Sequence, residues 1–374
     1  MMAPMPPLDP AMLPPGIASR IVPGVNGLDV HVLEAGPRDG PLVLLLHGFP
    51  ELAYSWRKVM PALAEAGAYV VAPDMRGYGR TTGWIPGSDV AAVGLCNLVR
   101  DALALVRALG REHVSMIAGH DFGAMVAPAT GLMRPDVFQS VVIMSAPFGG
   151  PPSTPAPPLP YSFAAELAAL VPARKHYHWY YSTAQAALDM DAPPGGVHAF
   201  LRAYYHHKSA DWPGNTPHTL REWSAPELAQ LPTYYVMRME ETMPETVAHE
   251  MPSTEAIAAN LWLTDEELGV YSAEYARTGF AGGLLWYRAR TEGVHVRDLA
   301  TFVGWTLDVP SLFIAGRQDW GVFQKAGDFD AMRRACPGME GVHLLEGAGH
   351  WVQQEQAGEV GRLLAEFFQA HAAP

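Results

Sequence analysis

The run His113-Val114-Ser115-Met116-Ile117-Ala118-Gly119-His120-Asp121-Phe122-Gly123-Ala124 joins a short apolar segment to a small-residue segment with helical potential. Bounded by glycines, it reads as a buried strand that turns sharply into a helix, with Asp121 at the corner. In the G-x-S-x-G elbow, a glycine on each side permits a strained strand-to-helix turn and exposes the central side chain at the top of the sheet. Gly119 and Gly123 are in place here, but the central residue is an aspartate. A carboxylate attacks carbon to form an alkyl ester, and it needs no base for its own attack.

Working outward, Ile21 to Gly36 reads as a hairpin about the Asn26-Gly27 turn, and Leu42 to Leu46 is an unbroken apolar run, as expected of a strand covered on both faces. Trp56 to Ala66 reads as a helix and Tyr69 to Ala72 as the next strand. Leu95, Leu98, Val99, Ala102, Leu105, Val106 and Leu109 recur with helical period before Gly110, and Ser140 to Met144 is a further strand. Strands that alternate with helices predict a mostly parallel α/β sheet with ligands at the carboxyl ends of the strands. Pro147 to Pro160 is crowded with proline and glycine and reads as a linker. From Tyr161 to about Arg290 the pattern is almost entirely helical, with a capping box at Thr264 to Glu267, and it reads as an inserted lid. Alternation resumes at Ser311 to Gly316 and Val342 to Leu345, and an amphipathic helix carrying Val360, Leu363, Leu364, Phe367 and Phe368 closes the chain.

With 374 residues, 49% apolar and 17% charged, and no apolar run of membrane-spanning length, the chain reads as a globular protein with a sizeable core. Met1 to Ser19 is proline-rich without a basic start or long apolar centre, so it reads as a loose arm rather than a secretory signal, and the expected location is cytoplasmic. A formal charge of −13 opposes nucleic acid and anionic membrane as partners. Cys96 and Cys336 lack any C-x-x-C pairing, which argues against a disulfide framework. His176 with His178, and His206 with His207, lack a complementary ligand set, so neither a metal nor any other cofactor is expected.

If Asp121 is a nucleophile, an acid and then a histidine should follow in chain order. Asp319 follows the strand ending Ala315-Gly316, and His350 follows the next strand in Gly349-His350-Trp351. The acid would hold the imidazole tautomer while the other ring nitrogen takes a proton from water. In His47-Gly48-Phe49-Pro50 the backbone N–H of Phe49, paired with that of Phe122, would form an oxyanion hole, since proline cannot donate. The Phe49 ring would also line an apolar pocket.

His47-Gly48-Phe49-Pro50-Glu51 with Tyr54-Ser55-Trp56-Arg57, Arg76-Gly77-Tyr78-Gly79, Gly119-His120-Asp121-Phe122-Gly123 and Gly349-His350-Trp351 together resemble the epoxide hydrolases of the α/β-hydrolase fold. The resemblance runs from about Ile21 to the C-terminus. It implies an arm at 1–20, a hydrolase core at 21–147 and 297–374, and a helical cap at 148–296. It implies two lid tyrosines, matched by Tyr177 and Tyr287, with Tyr180, Tyr181 and Tyr205 as neighbouring alternatives. The chemistry asks for the same pair, because ring opening puts negative charge on oxygen and a neutral phenol can donate to it. Phe49, Phe122, Trp286 and Trp351 are the expected substrate-binding side chains, and the expected partners are a small apolar epoxide and water, with a homodimer left open.

The sequence departs from the family at Phe122, where tryptophan is often found, and at His178, where glutamine is common. His178 would make the environment of the adjoining phenol depend on pH. Met237, Met239, Met243 and Met251 read as an enlarged lid excursion. Haloalkane dehalogenases resemble this scaffold but typically hold halide with an indole directly after the nucleophile, and Phe122 has no N–H. Fluoroacetate dehalogenases grip a carboxylate with an arginine there, which Phe122 cannot do. A receptor on a hydrolase scaffold would need no general base.

Overall fold

The computed structural model describes residues 6–84, 87, 89–152, 163–325 and 327–372. Eight strands form one sheet: β1 (Ile17–Val25), β2 (Leu28–Ala35), β3 (Leu42–Leu46), β4 (Tyr69–Pro73), β5 (Met116–His120), β6 (Val141–Met144), and then, after an insertion holding β7 (Arg174–His176) and β8 (Val236–Arg238), β9 (Ser311–Gly316) and β10 (Met339–Leu345). Their spatial order is β1-β2-β4-β3-β5-β6-β9-β10. β1 and β2 are antiparallel, β2 runs antiparallel to β4, and every pairing from β4 to β10 is parallel. Every residue of β3, β4, β5, β6 and β9 is buried, which is why each reads as a mostly apolar run rather than an alternating one.

The strand order places the chemistry. From β3 the chain moves to β4 on one side and then crosses to β5 on the other, so the loops leaving the carboxyl ends of β3 and β5 diverge and open a crevice between them. Phe49 lies just past the end of β3 and Asp121 at the end of β5. Helices Leu95–Ala108, Gly123–Met133 and Ala357–His371 supply buried faces that pack into the single apolar core. The insertion between β6 and β9 carries helices Tyr177–Tyr181, Gly196–Lys208, Asp265–Thr278 and Ala281–Thr291 over the strand ends, and the Thr264 capping box forms with Glu267. No helix among the described residues is long and apolar enough to cross a membrane.

Several sequence expectations are corrected. The hairpin starts at Ile17 rather than Ile21, so the strand begins inside the stretch 1–20 read as an arm. The part of that stretch from residue 6 onward is not loose: Leu8 is buried and donates its N–H to Ser19 Oγ (2.7 Å), Tyr54 Oη donates to Met12 O (3.0 Å), and Arg80 donates to Pro6 O (2.8 Å). Residues 1–5 lie outside the described residues, as do 153–160 of the expected linker and 161–162 at the expected start of the lid. Trp56 to Ala66 is not one helix. A 3-10 turn, Ala53–Trp56, precedes a helix at Met60–Glu65, with a proline in its first turn. The insertion is not wholly helical, since β7 and β8 pair antiparallel through Arg174 with Arg238 and His176 with Val236. The expected boundary between 296 and 297 falls inside helix Val294–Ala300.

Candidate active site

Asp121 has a backbone φ of +53°, a left-handed conformation rare outside glycine. The glycines around it are demanded by space. A Cβ on Gly119 would meet Gly123 O at 2.0 Å, one on Gly123 would meet Leu46 O at 2.3 Å, and one on Gly48 would meet Asp121 Oδ1 at 2.3 Å. The corner is thus pressed against the end of β3, and Phe49 N–H donates to Asp121 Oδ1 at 2.9 Å. The other oxygen, Oδ2, lies 3.5 Å from His350 Nε2, and the Asp121 side chain keeps 19% of its surface open, against 3% for His350.

His350 Nδ1 lies 3.2 Å from both Asp319 oxygens. Ser145 at the end of β6, also left-handed at φ +73°, inserts its hydroxyl here, donating to Asp319 Oδ2 and lying 3.0 Å from His350 Nδ1. Gly321 N–H donates to Asp319 Oδ1 at 2.6 Å. With Nδ1 directed at an acceptor pair, His350 Nε2 is buried and has no hydrogen-bond partner among the described residues. Burial alone would raise both aspartates. Instead His350, then Lys208 and His120, hold Asp121 well below the usual carboxylate range, and His350, Ser145 and the Gly321 N–H depress Asp319.

Beneath this set, His120 Nδ1 meets Glu51 Oε2 at 2.6 Å and its Nε2 meets the His350 carbonyl at 2.7 Å. Gln353 and Gln354 donate to Glu51 Oε1 at 2.9 and 3.0 Å. Burial opposes charge on both partners, yet their mutual attraction raises His120 and lowers Glu51, as in a buried ion pair. Both residues lie in the quoted motifs, but no sequence signal marked them as partners across 69 positions.

Tyr177 and Tyr287 face one another with ring centroids 5.7 Å apart. Phe49 packs edge-on against Tyr287 at 5.4 Å and Phe122 does so at 4.7 Å. The hydroxyls of Tyr177 and Tyr287 make no hydrogen bond among the described residues. The alternatives are engaged elsewhere: Tyr180 Oη donates to Asp189 (2.5 Å), Tyr181 Oη to Tyr204 Oη (3.3 Å), and Tyr205 Oη to Pro50 O (3.2 Å). Burial, then the charge of Asp121, pushes the Tyr177 and Tyr287 phenols well above their ordinary value, so both stay protonated at neutral pH.

Trp286 and Trp351 take supporting positions. Trp286 packs on Phe122 (5.4 Å) with its indole N–H donated to Arg76 O at 3.0 Å, and Trp351 packs on His350 (4.6 Å) with its N–H donated to Tyr205 O at 2.8 Å. Neither indole N–H is free for a halide, and Phe122 adds none. His178 packs at a tilt on both lid tyrosines, with ring centroids 4.2 Å from Tyr177 and 5.6 Å from Tyr287. The expected pH response there is corrected: burial, then Arg290 and His176, hold His178 well below its ordinary value, so it is neutral across the physiological range.

A model of the alpha/beta hydrolase fold family matches residues 41–357. Over 348 residues the chain is 33% identical to epoxide hydrolase A of Mycobacterium tuberculosis, covering 91% of this chain and 94% of that protein. Among solved structures it is similar to an epoxide hydrolase from an endophytic Streptomyces, with a TM-score of 0.77, 32% identity and 96% of each chain covered. Epoxide hydrolase I of potato (Solanum tuberosum) is similar with a TM-score of 0.73 and 29% identity, covering 95% of this chain and 99% of that one.

Proposed function

The chain belongs to the epoxide hydrolases of the α/β-hydrolase fold, and from that premise we propose that it converts an epoxide to a vicinal diol in two steps through an ester on Asp121. One observation carries the reading: Phe49 N–H holds one oxygen of Asp121 while the other lies 3.5 Å from an unpartnered His350 Nε2, beneath two lid phenols without partners among the described residues.

In the first step Asp121 Oδ2 bonds to a ring carbon, the carbon–oxygen bond of the ring breaks, and its electron pair goes to the oxygen. Tyr177 and Tyr287 donate to that oxygen, and one of them supplies the proton. In the second step His350 Nε2 takes a proton from water, the hydroxide adds to the ester carbonyl, and the oxyanion forms on Oδ1. There the N–H groups of Phe49 and Phe122 stabilise it. Asp319 stabilises the imidazolium, which gives its proton to the departing alkoxide as the tetrahedral species collapses; the acid proton left on Asp121 returns to the phenolate of the first step, so the diol leaves with the carboxylate and the phenol restored. A small apolar epoxide fits the aromatic walls, and water is the second substrate. The cap is the insertion between β6 and β9, and the scheme calls on no cofactor.

The test is direct. Asp121→Ala abolishes diol formation from styrene oxide, whereas His350→Ala accumulates the ester, seen as a protein mass increase equal to the epoxide. Native-rate hydrolysis by His350→Ala would show that the base is misassigned.

A further inference from the structure

The helix Gly196–Lys208 ends against the general base: the Lys208 carbonyl accepts the His350 N–H at 2.9 Å. The Lys208 side chain is 3% exposed, and its Nζ lies 4.9 Å from the Tyr235 ring centroid, 5.3 Å from Tyr204, 5.6 Å from Trp351 and 5.7 Å from Tyr234. Two walls of this cage belong to the reaction site. Tyr235 packs on Tyr177 at 5.0 Å, and Trp351 packs on His350 at 4.6 Å.

Among the described residues Lys208 Nζ makes no hydrogen bond and no ion pair. The other buried cations contrast with it. Arg57 donates to Glu267, Gln354 and the Tyr54 carbonyl, and Arg202 donates to Asp265 and the Leu263 carbonyl. An ammonium has three donors and no acceptor, and a buried charge is ordinarily paired. Cation–π attraction offsets only part of its lost hydration. The nearest acidic groups are engaged: Asp121 by Phe49 N–H, Asp319 by Ser145 and Gly321, and Glu51 by His120, Gln353 and Gln354.

We propose that Lys208 is an anion subsite of the pocket faced by Asp121 and that it selects epoxides bearing a carboxylate. This rests on the hydrolase reading above and adds a substrate class to it. The carboxylate supplies the missing acceptor, so binding completes a charge pair inside an aromatic cage, and neutral epoxides lack that contact.

The test compares phenylglycidate and epoxystearate with their methyl esters on wild-type protein, Lys208→Met and Lys208→Arg. Methionine keeps the unbranched apolar packing against the rings. For a charged hydrogen bond, Lys208→Met should lower the acid-to-ester ratio of kcat/KM by about 10- to 100-fold, and Lys208→Arg should restore most of it. An unchanged ratio overturns the proposal, whether both substrates slow equally, as when the cation serves the reacting oxygen, or neither slows. Calorimetric titration with phenylbutanoate and phenylbutanamide removes the dependence on ring opening. Preference for the carboxylate that vanishes in Lys208→Met supports the subsite even if no epoxide is turned over, and equal affinities overturn it. Failure of wild-type protein to release diol from every one of these epoxides, acids and methyl esters alike, counts against the hydrolase reading alone.

Discussion

In the proposed first step two phenols, 5.7 Å apart between ring centroids, share one task, and replacing either with phenylalanine isolates it. With general-acid contributions of about 100- to 10,000-fold divided between two donors, Tyr177→Phe and Tyr287→Phe should each slow ester formation by roughly 10- to 100-fold. Hydrolysis of the ester, which uses His350, should slow much less. Rapid-quench measurement of ester appearance and decay separates the two, and equal effects on both phases would remove the phenols from the first step. The placement of Asp121, Asp319 and His350 was legible in the sequence because each follows a strand in order beside a glycine, whereas Tyr177 and Tyr287 were matched only through the resemblance to epoxide hydrolases. Ser145 was not, since a serine after an apolar run has no signature for the left-handed backbone that points it at His350. Lys208 was hidden for another reason: a lysine in the last turn of a helix reads as a cation favoured by the helix dipole.

At the scale of elements, the loop bearing His350 is held largely by one carboxyl group, which burial pushes up to about 8 against the pull of the N–H groups around it. Glu355 accepts N–H groups from Ala210 (2.7 Å), Gly349 (2.9 Å) and Trp351 (2.9 Å). A glutamine in its place loses at least one acceptor. Glu355→Gln should therefore cost about 1–3 kcal/mol and lower the thermal midpoint by roughly 1–4 °C, read by scanning calorimetry. An unchanged midpoint would mean the donors find other acceptors. The sheet was legible because β3, β5, β6 and β9 are covered on both faces and so leave plain apolar runs. The β7/β8 ribbon was not: three-residue strands are too short to show a period of two. Anchoring of the N-terminal segment also escaped notice, because Met12 and Pro6 are held through backbone carbonyls that carry no side-chain signal.

For the whole molecule, one contribution to acid stability comes from Asp74, a buried carboxylate outside the proposed catalytic set. Asp74 is buried and accepts from His31 Nδ1 (2.7 Å), Ala53 N (2.9 Å) and Arg80 N (2.9 Å). Burial opposes its charge, but His31, His47 and the Arg80 N–H lower it from 3.8 to about 2. A depressed carboxylate contributes stability that is present above its unfolded value and is lost as pH falls through its folded one. The contribution is about 2 kcal/mol, lost between roughly pH 4 and pH 2. Urea unfolding of wild-type and Asp74→Asn protein should show a gap at pH 7 that narrows by about that amount at pH 2, while a constant gap would assign the acid response elsewhere.

The bonds from His350 N to Lys208 O and from Ala210 N to Glu355 join sequence segments about 140 residues apart into one mechanical seat. Only glycine fits at 349, because a Cβ there would strike Lys208 O at 2.6 Å. Positions 208–210 and 347–355 therefore act as a pair: a chimera that draws its lid from one parent and its tail from another splits the seat, and crossovers that carry both halves from the same parent are expected to keep the imidazole better aligned.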